Sequence, residues 1–429
     1  MNLTELLTHA GTAPTAPLLE DLTLVSAVSP ELTTIPLAAG SMGELVDGYA
    51  RAAEPLITAA VLTRDEGELI DSCLSALSQD ADRVLLIDSG STDDTVRRAS
   101  QAHRDLRSVH EPWADDFAHH RNLALREIAD GWVMYVDADE VLSEEHAGRL
   151  RKVLRALDHV LPEADFIVCP AIVDTNGTAY TENRRILRAT TSFSFRGRVH
   201  ERPYDSSGNT PPRVYVSVRV DHSGYTPEEI ARKQKPRRNG RLLALARQEE
   251  PANPKWIYHE IRDTLDRTTA TPELLRHRFA ELSGALEAMP SDAPDYVSER
   301  RFDCWVLLCE LALGFGGAEE ILHWTDRLDA VGGRVEAMYF RSVMETSRLL
   351  ARLSGLAEQM GEAEKWETPD NRFLLARLFE VQATAALASG RYDLAGTAYH
   401  KAADRGAGQG LEDDFSQLRG LLARLAPPS

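Results

Sequence analysis

From Leu56 to Leu157 short apolar runs alternate with stretches of helical period. Ile57–Leu62, Arg83–Ile87, Leu106–His110 and Trp132–Val136 read as strands. Between and after them, Glu66–Leu77, Thr92–Ala102, Phe117–Ile128 and Ser143–Leu157 read as helices, the last opened by Ser143 as N-cap with Glu144 and Glu145 in its first turn. A strand always followed by a helix must reach its neighbour by a crossover. The pattern therefore dictates βαβ units and a mainly parallel sheet. Beyond Asp165 the helical period stops, and Phe166–Val168, Arg185–Leu187, Phe193–Phe195 and Val214–Val220 read as further strands. One Rossmann-like α/β domain is expected over residues 55–225. Residues 1–54 form a Thr-, Pro- and Ala-mixed extension with a helix at Met42–Ala53 and no assigned chemistry.

A second change of character follows a basic run, six cations in the ten residues Arg232–Arg241. This is either a solvated helix face within a linker over 226–255 or a set of cations reaching back to an anionic ligand. From 256 to 429 the period is helical throughout. Phe379, Ala383, Ala386, Gly390, Tyr392, Ala395, Tyr399 and Ala402 stand at the spacing of a tetratricopeptide (TPR) helical hairpin. Gln382 departs from that pattern, which asks for an apolar residue there. The fold expected is an α/β domain followed by an all-α, repeat-like domain.

Composition narrows the partners. Forty-eight basic against 67 acidic residues leave a net charge of −19, which disfavours coating nucleic acid or an anionic membrane. No apolar run approaches the roughly 20 residues of a membrane span, and the longest, Trp305–Phe315, is broken by Glu310. The first residues show neither the basic nor the apolar region of a secretory signal. The four cysteines form no CxxC pair and have no basic neighbour to activate them. A cytoplasmic protein with reduced, packed thiols is expected.

In an open α/β sheet, ligands bind beyond the carboxyl ends of the strands. Three polar clusters fall there: Thr63-Arg64-Asp65-Glu66, Asp88-Ser89-Gly90-Ser91-Thr92-Asp93 and Asp137-Ala138-Asp139-Glu140. The second offers a carboxylate, a tight turn and hydroxyls running into a helix N-terminus, either a capped turn or a cradle for a ribose and an anion. In the third, carboxylates flanking a small residue at a strand end suit Mg²⁺ or Mn²⁺ bridging to phosphates. Neither GxGxxG nor GxxxxGK[ST] occurs, which weakens dinucleotide and P-loop readings.

The segments TRDEGELI, DSGSTDDT, WADDFAHHRNLAL and WVMYVDADE, in that order, resemble the nucleotide-sugar half of family-2 glycosyltransferases of the GT-A fold. RVHERP at Arg198–Pro203 and DHSGY at Asp221–Tyr225 resemble the repeat-bearing, SunS-type peptide S-glycosyltransferase group. The resemblance implies that Thr63, Arg64, Glu66, Asp88 and Ser91 contact the uracil and ribose of a UDP-sugar, and Arg121 the base or diphosphate. It further implies that Asp137 holds the ribose, or a divalent metal through water, and that Asp139 ligates the metal directly, with Ala138 between them against the donor. Asp65 stands where many members carry Asn, so its contact is open.

Two histidines follow later strands beside carboxylates, His200-Glu201 and Asp221-His222. A neutral imidazole can join a metal and a carboxylate can act as general base. His222 is assigned to the metal, Glu201 to the base and His200 to positioning it, with exchange of the two histidines' roles left open. Lys233 and Arg238 are assigned to the diphosphate leaving group. The expected activity is inverting transfer of a hexose or N-acetylhexosamine from a UDP-sugar to a hydroxyl or thiol, on Ser, Thr or Cys of a peptide or protein. The helical domain would bind that acceptor or form a homodimer contact. The alternatives are a cell-envelope saccharide acceptor, and a scaffold with a degenerate transferase fold.

Overall fold

The computed structural model describes residues 1–223 and 235–425 and divides into two compact units, residues 1–266 with 280–304, and residues 267–279 with 305–429.

The first unit is built on a ten-stranded sheet. Its parallel core is β2 (Ile57–Thr63), β3 (Arg83–Asp88), β4 (Leu106–His110) and β5 (Trp132–Asp137), each within a residue of the predicted run. β2, β3 and β5 are apolar almost throughout because both faces are covered, whereas the edge strand β4 carries half-buried Leu106 and Val109 among exposed Arg107, Ser108 and His110. Ala59, Val61, Val84 and Leu86 join one buried cluster, and Ala60, Leu85, Ile87 and Val133 another. Strand order runs β4-β3-β2-β5, so the chain reverses direction across the sheet between β2 and β5. That reversal opens a crevice at the carboxyl edge. Gly131 makes the tight entry to β5, with φ +75° and a backbone so close that an added Cβ would lie 2.2 Å from the Leu56 carbonyl oxygen.

The second half of the sheet is mixed. β7 (Ile167–Asp174) and β12 (Arg213–His222) pair in parallel, while the short β9 (Ile186–Arg188) joins β5 to β7 antiparallel to both. β6 (Glu140–Leu142) doubles back onto the end of β12, setting His222 opposite both Glu140 and Asp174. Residues 1–54 hold more structure than the sequence suggested. β1 (Val25–Val28) adds an antiparallel edge to β12, and Leu3, Leu6, Leu18, Leu22 and Tyr49, from three flanking helices, join the main core.

The helix expected at Ser143–Leu157 is two pieces. A single 3-10 turn, Glu144–His146, is followed by extended backbone at Ala147, left-handed Gly148 (φ 77°) and then helix Arg149–Val160. Ser143 makes no capping bond. The fully buried carboxylate of Asp80 instead accepts the backbone N–H groups of Gly148 (2.6 Å) and Arg151 (3.1 Å). A cap from 68 residues away is invisible to a local reading.

The second unit is helical, including Ala318–Ala330, Arg334–Gly361, Arg372–Ala388, Tyr392–Ala403 and Gln409–Leu425. The hairpin Arg372–Ala388/Tyr392–Ala403 follows the expected TPR spacing, with Phe379, Ala383, Ala386, Ala395 and Ala402 buried and Gly390 left-handed at the turn. Gln382, which breaks the apolar pattern, is buried and half satisfied: its Nε2 donates to the Ala357 carbonyl at 2.9 Å, while its Oε1 has no partner among the described residues. Tyr392, expected to pack, is 70% exposed. No helix among the described residues is long and apolar enough to cross a membrane.

Candidate functional site

The carboxyl ends of β2, β5, β7 and β12 surround a cavity of about 1000 Å³ in the first unit. Of the residues singled out from sequence, Thr63, Arg64, Glu66, Arg121, Asp137, Ala138, Asp139, His200, Glu201, His222 and Arg238 line it. Lys233 lies outside the described residues.

Asp88 and Ser91 are not among the lining residues; they stand behind it and organise its wall. The Asp88 carboxylate accepts the Ser91 N–H at 3.1 Å and faces His110 Nδ1 at 3.2 Å. Burial alone would raise this carboxyl, but the bonds from Ser91, with His110 and Gly90, outweigh it and hold it below the usual range. Ser91 Oγ accepts the Asp65 N–H at 3.0 Å. Asp65, left-handed at φ 54°, returns the bond by accepting the Thr92 N–H at 2.7 Å. The Glu66 N–H donates to Thr95 Oγ1, and the Gly67 N–H to Asp93. These cross-braces delay both following helices, which begin at Ile70 and Thr95 rather than at Glu66 and Thr92. Thr63 Oγ1, buried at the cavity wall, has no hydrogen-bond partner among the described residues, the kind of unmet group a ligand satisfies.

At the end of β5 a buried ionic network takes over. Asp137 is bonded on Oδ1 by Arg121 (3.2 Å) and on Oδ2 by Arg185 (2.9 Å). Burial would raise the Asp137 carboxyl, yet Arg185 and Arg121 outweigh it and keep it well below the carboxylate range. Arg185 also reaches Glu140 at 3.0 Å. Glu140 has the opposite balance: burial, with Asp137 and Asp139 nearby, outweighs Arg185 and lifts it to about 7. Arg121 donates its Nε to Glu201 at 2.6 Å, so one guanidinium joins the triplet's first carboxylate to the candidate base. Arg121 was expected on the base or diphosphate; its bonds instead go to these two carboxylates. Sequence reasoning did not single out Arg185 or Glu140 as site residues. The only signal for Arg185 was a basic residue heading a strand.

Asp139, buried, lies 3.6 Å from His222 Nε2 and 3.7 Å from Lys235 Nζ, while His222 Nδ1 sits 2.7 Å from Asp174. Burial alone would lower the imidazole, but its bonds to Asp139 and Asp174 more than offset this and raise it to about 9. His222 is thus held as a cation between two buried acids. Asp139 and His222 Nε2 fit a hard or borderline divalent ion that would take over that positive charge, with Asp174 on the opposite ring nitrogen orienting the imidazole. Asp137, with both oxygens on guanidinium groups, suits a role through water rather than direct ligation. Asp174 was missed because only strand register brings it to His222.

His200 does not bond to Glu201, which Arg121 holds instead. His200 sits in a left-handed turn (φ 53°), with Nε2 3.2 Å from Asp263 and its ring stacked on His259. In the basic run, Arg241 pairs with Asp115, and Arg238 lies over the Phe117 ring at 5.0 Å. Arg238 bonds to the Asn239 side chain, and burial lowers its pKa more than the nearby acids raise it. The four cysteines are buried and unpaired, with Cys169 and Cys309 each pushed up to about 12 by burial, as expected of inert thiols.

A Rossmann-like sheet with an acidic strand-end triplet facing a wide polar cavity defines the GT-A class of nucleotide-sugar transferases. The model of glycosyl transferase family 2 matches residues 58–222. The chain is 30% identical over 327 residues to the SPbeta prophage-derived glycosyltransferase SunS of Bacillus subtilis, covering 75% of this chain and 74% of the relative. A TPR repeat-containing protein of Synechococcus elongatus is 32% identical over 159 residues, 37% of this chain and 38% of that one. The crystal structure of Staphylococcus aureus TarS overlaps 61% of this chain and 54% of its own at 13% identity and a TM-score of 0.36, so the assignment rests on sequence. The chain belongs to the family-2 glycosyltransferases and carries TPR-like helices after its catalytic fold.

Proposed function

We propose that the protein transfers a hexose or N-acetylhexosamine from a UDP-sugar, with inversion, to a hydroxyl or thiol of a peptide or protein. The observation that carries this reading is the meeting, around one cavity, of the buried Asp139–His222 pair, the Glu201 carboxylate and the Arg238 guanidinium. Thr63, Arg64 and Glu66 would take the uracil and ribose, on a wall that Asp88 and Ser91 hold in shape. Arg238 would take the diphosphate. Glu201, which Arg121 orients, would accept the proton of the acceptor as it attacks the anomeric carbon in line. A divalent ion, Mg²⁺ or Mn²⁺, held by Asp139 and His222 would neutralise charge developing on the departing UDP. Inversion needs no enzyme nucleophile, and the buried cysteines offer none. The likeness to the SunS-type group and the helical second unit support a peptide acceptor, since paired-helix repeats suit extended chains.

The test is UDP release across a panel of UDP-sugars with Mn²⁺, Mg²⁺ or EDTA, on the wild type and Asp139→Ala, with UDP binding followed by calorimetry. Metal-dependent release from one donor, lost in the variant, is expected. Full activity in Asp139→Ala would refute the metal assignment. Neither release nor UDP binding by the wild type would favour the scaffold alternative.

A further inference from the structure

The helix Pro254–Thr264 carries His259 and Asp263 four residues apart, hence on one face. Against that face stands His200, brought by the turn after Val199. One ligand atom from each of the three lies within 4.8 Å of the others. His259 is fully buried, yet neither ring nitrogen has a hydrogen-bond partner among the described residues. A doubly orphaned imidazole costs stability and calls for a physical reason. His200 adds a second anomaly, a non-glycine residue in the left-handed region with its ring stacked 4.0 Å from His259. Its Nε2 faces both the Asp263 carboxylate (3.2 Å) and an Arg262 guanidinium nitrogen (3.3 Å), demands that no single tautomer meets.

We propose that His200, His259 and Asp263 form a second divalent-metal site, for Zn²⁺, separate from the Asp139–His222 pair. Two imidazoles and one carboxylate are a borderline donor set that suits zinc better than Mg²⁺. Arg262, which bonds to both Asp263 (2.5 Å) and His200, balances the carboxylate in the metal-free protein and swings to solvent on binding. Ligation draws the partly exposed His200 ring out of its stack toward the same ion as the orphaned His259. It also fixes the left-handed turn at His200, and with it the direction in which Glu201 leaves the chain. Three protein ligands leave a coordination position for solvent.

The test is titration of the chelator-stripped full chain with Co²⁺, whose visible absorption is strong in low-coordinate nitrogen–oxygen sites, followed by displacement with Zn²⁺. The Asp139→Asn variant is expected to show the band, saturating at one ion per chain and bleached by Zn²⁺. In that background, Asp263→Asn is expected to weaken Co²⁺ binding at least tenfold, as is His259→Gln. Should the buried His259→Gln chain fail to fold, the partly exposed Asp263→Asn decides alone. No band in Asp139→Asn, or a band that keeps its affinity in Asp263→Asn, would overturn the site.

Discussion

Removing Arg121 tests how the candidate base is held. Arg121 and Glu201 are about nine-tenths buried, joined Nε to Oε1 at 2.6 Å, and Arg121 also bonds to Asp137. Arg121→Met leaves the Glu201 carboxylate buried without its partner, whereas Asp137 keeps Arg185. Breaking a buried ion pair from one side costs about 3–5 kcal/mol. A neutral amide left without its partner costs about 1–3 kcal/mol. In the double variant Arg121→Met/Glu201→Gln the lost bond to Asp137 is common to both chains and cancels. The double variant should therefore be about 2 kcal/mol more stable than Arg121→Met, despite carrying one more substitution. Urea unfolding followed by tryptophan fluorescence reads this directly, since Trp132 and Trp256 are buried in the first unit. Equal or lower stability of the double variant would show that Arg121 does not neutralise Glu201, and the account of the base would fall.

Asp80→Ala removes the remote cap of Arg149–Val160 and should cost about 1–3 kcal/mol, lowering the urea midpoint while turnover per folded molecule is kept. The pair Lys255–Glu299, 2.7 Å apart and buried, should shape the pH profile of stability. Burial alone would raise Glu299, but Lys255 and Arg202 outweigh it and lower it to about 2, so its contribution is present above about pH 4.5 and lost as pH falls toward 2. Burial lowers Lys255 to about 8, more than Glu299 raises it. The unfolded chain then binds more protons between pH 8 and 10.5, and stability from this group rises over that window. Glu299→Gln should flatten the acid limb of thermal stability and Lys255→Met the alkaline rise, and unchanged limbs would contradict both assignments.

The parallel strands were legible because a sheet covered on both faces writes itself as contiguous apolar runs, as in Val84–Ile87 and Val133–Val136. The strand-end clusters were legible for the same reason, since the end of an apolar run marks the edge of the sheet. Less visible were features set by pairing across distance. β1 is four residues with mixed exposure, and only its ladder to β12 makes it a strand. The cap from Asp80, the bond from Arg121 to a carboxylate 80 positions on, and the meeting of Asp174 with His222 all depend on register and topology rather than local pattern. His259 and Asp263 share a helical spacing that the sequence displays, but nothing local says that His200 faces them.

The cavity's charge arrangement bears on how an acidic chain would receive the anionic donor proposed for it. Its most buried guanidiniums, Arg121 and Arg185, are spent on Asp137, Glu140 and Glu201. They hold the acidic triplet together but offer little to a phosphate. Arg241 is tied to Asp115 and Lys235 lies beside Asp139. Arg238 differs: largely enclosed, stacked over Phe117, it has no carboxylate within ion-pair distance among the described residues. Its pKa is lowered because burial is not repaid by a bonded anion. A diphosphate is the ligand that would supply that partner, and its arrival would return the pKa of Arg238 to the ordinary range. By the same argument Arg238→Gln should weaken UDP more than uridine, while a loss equal for both would place the residue at the base instead.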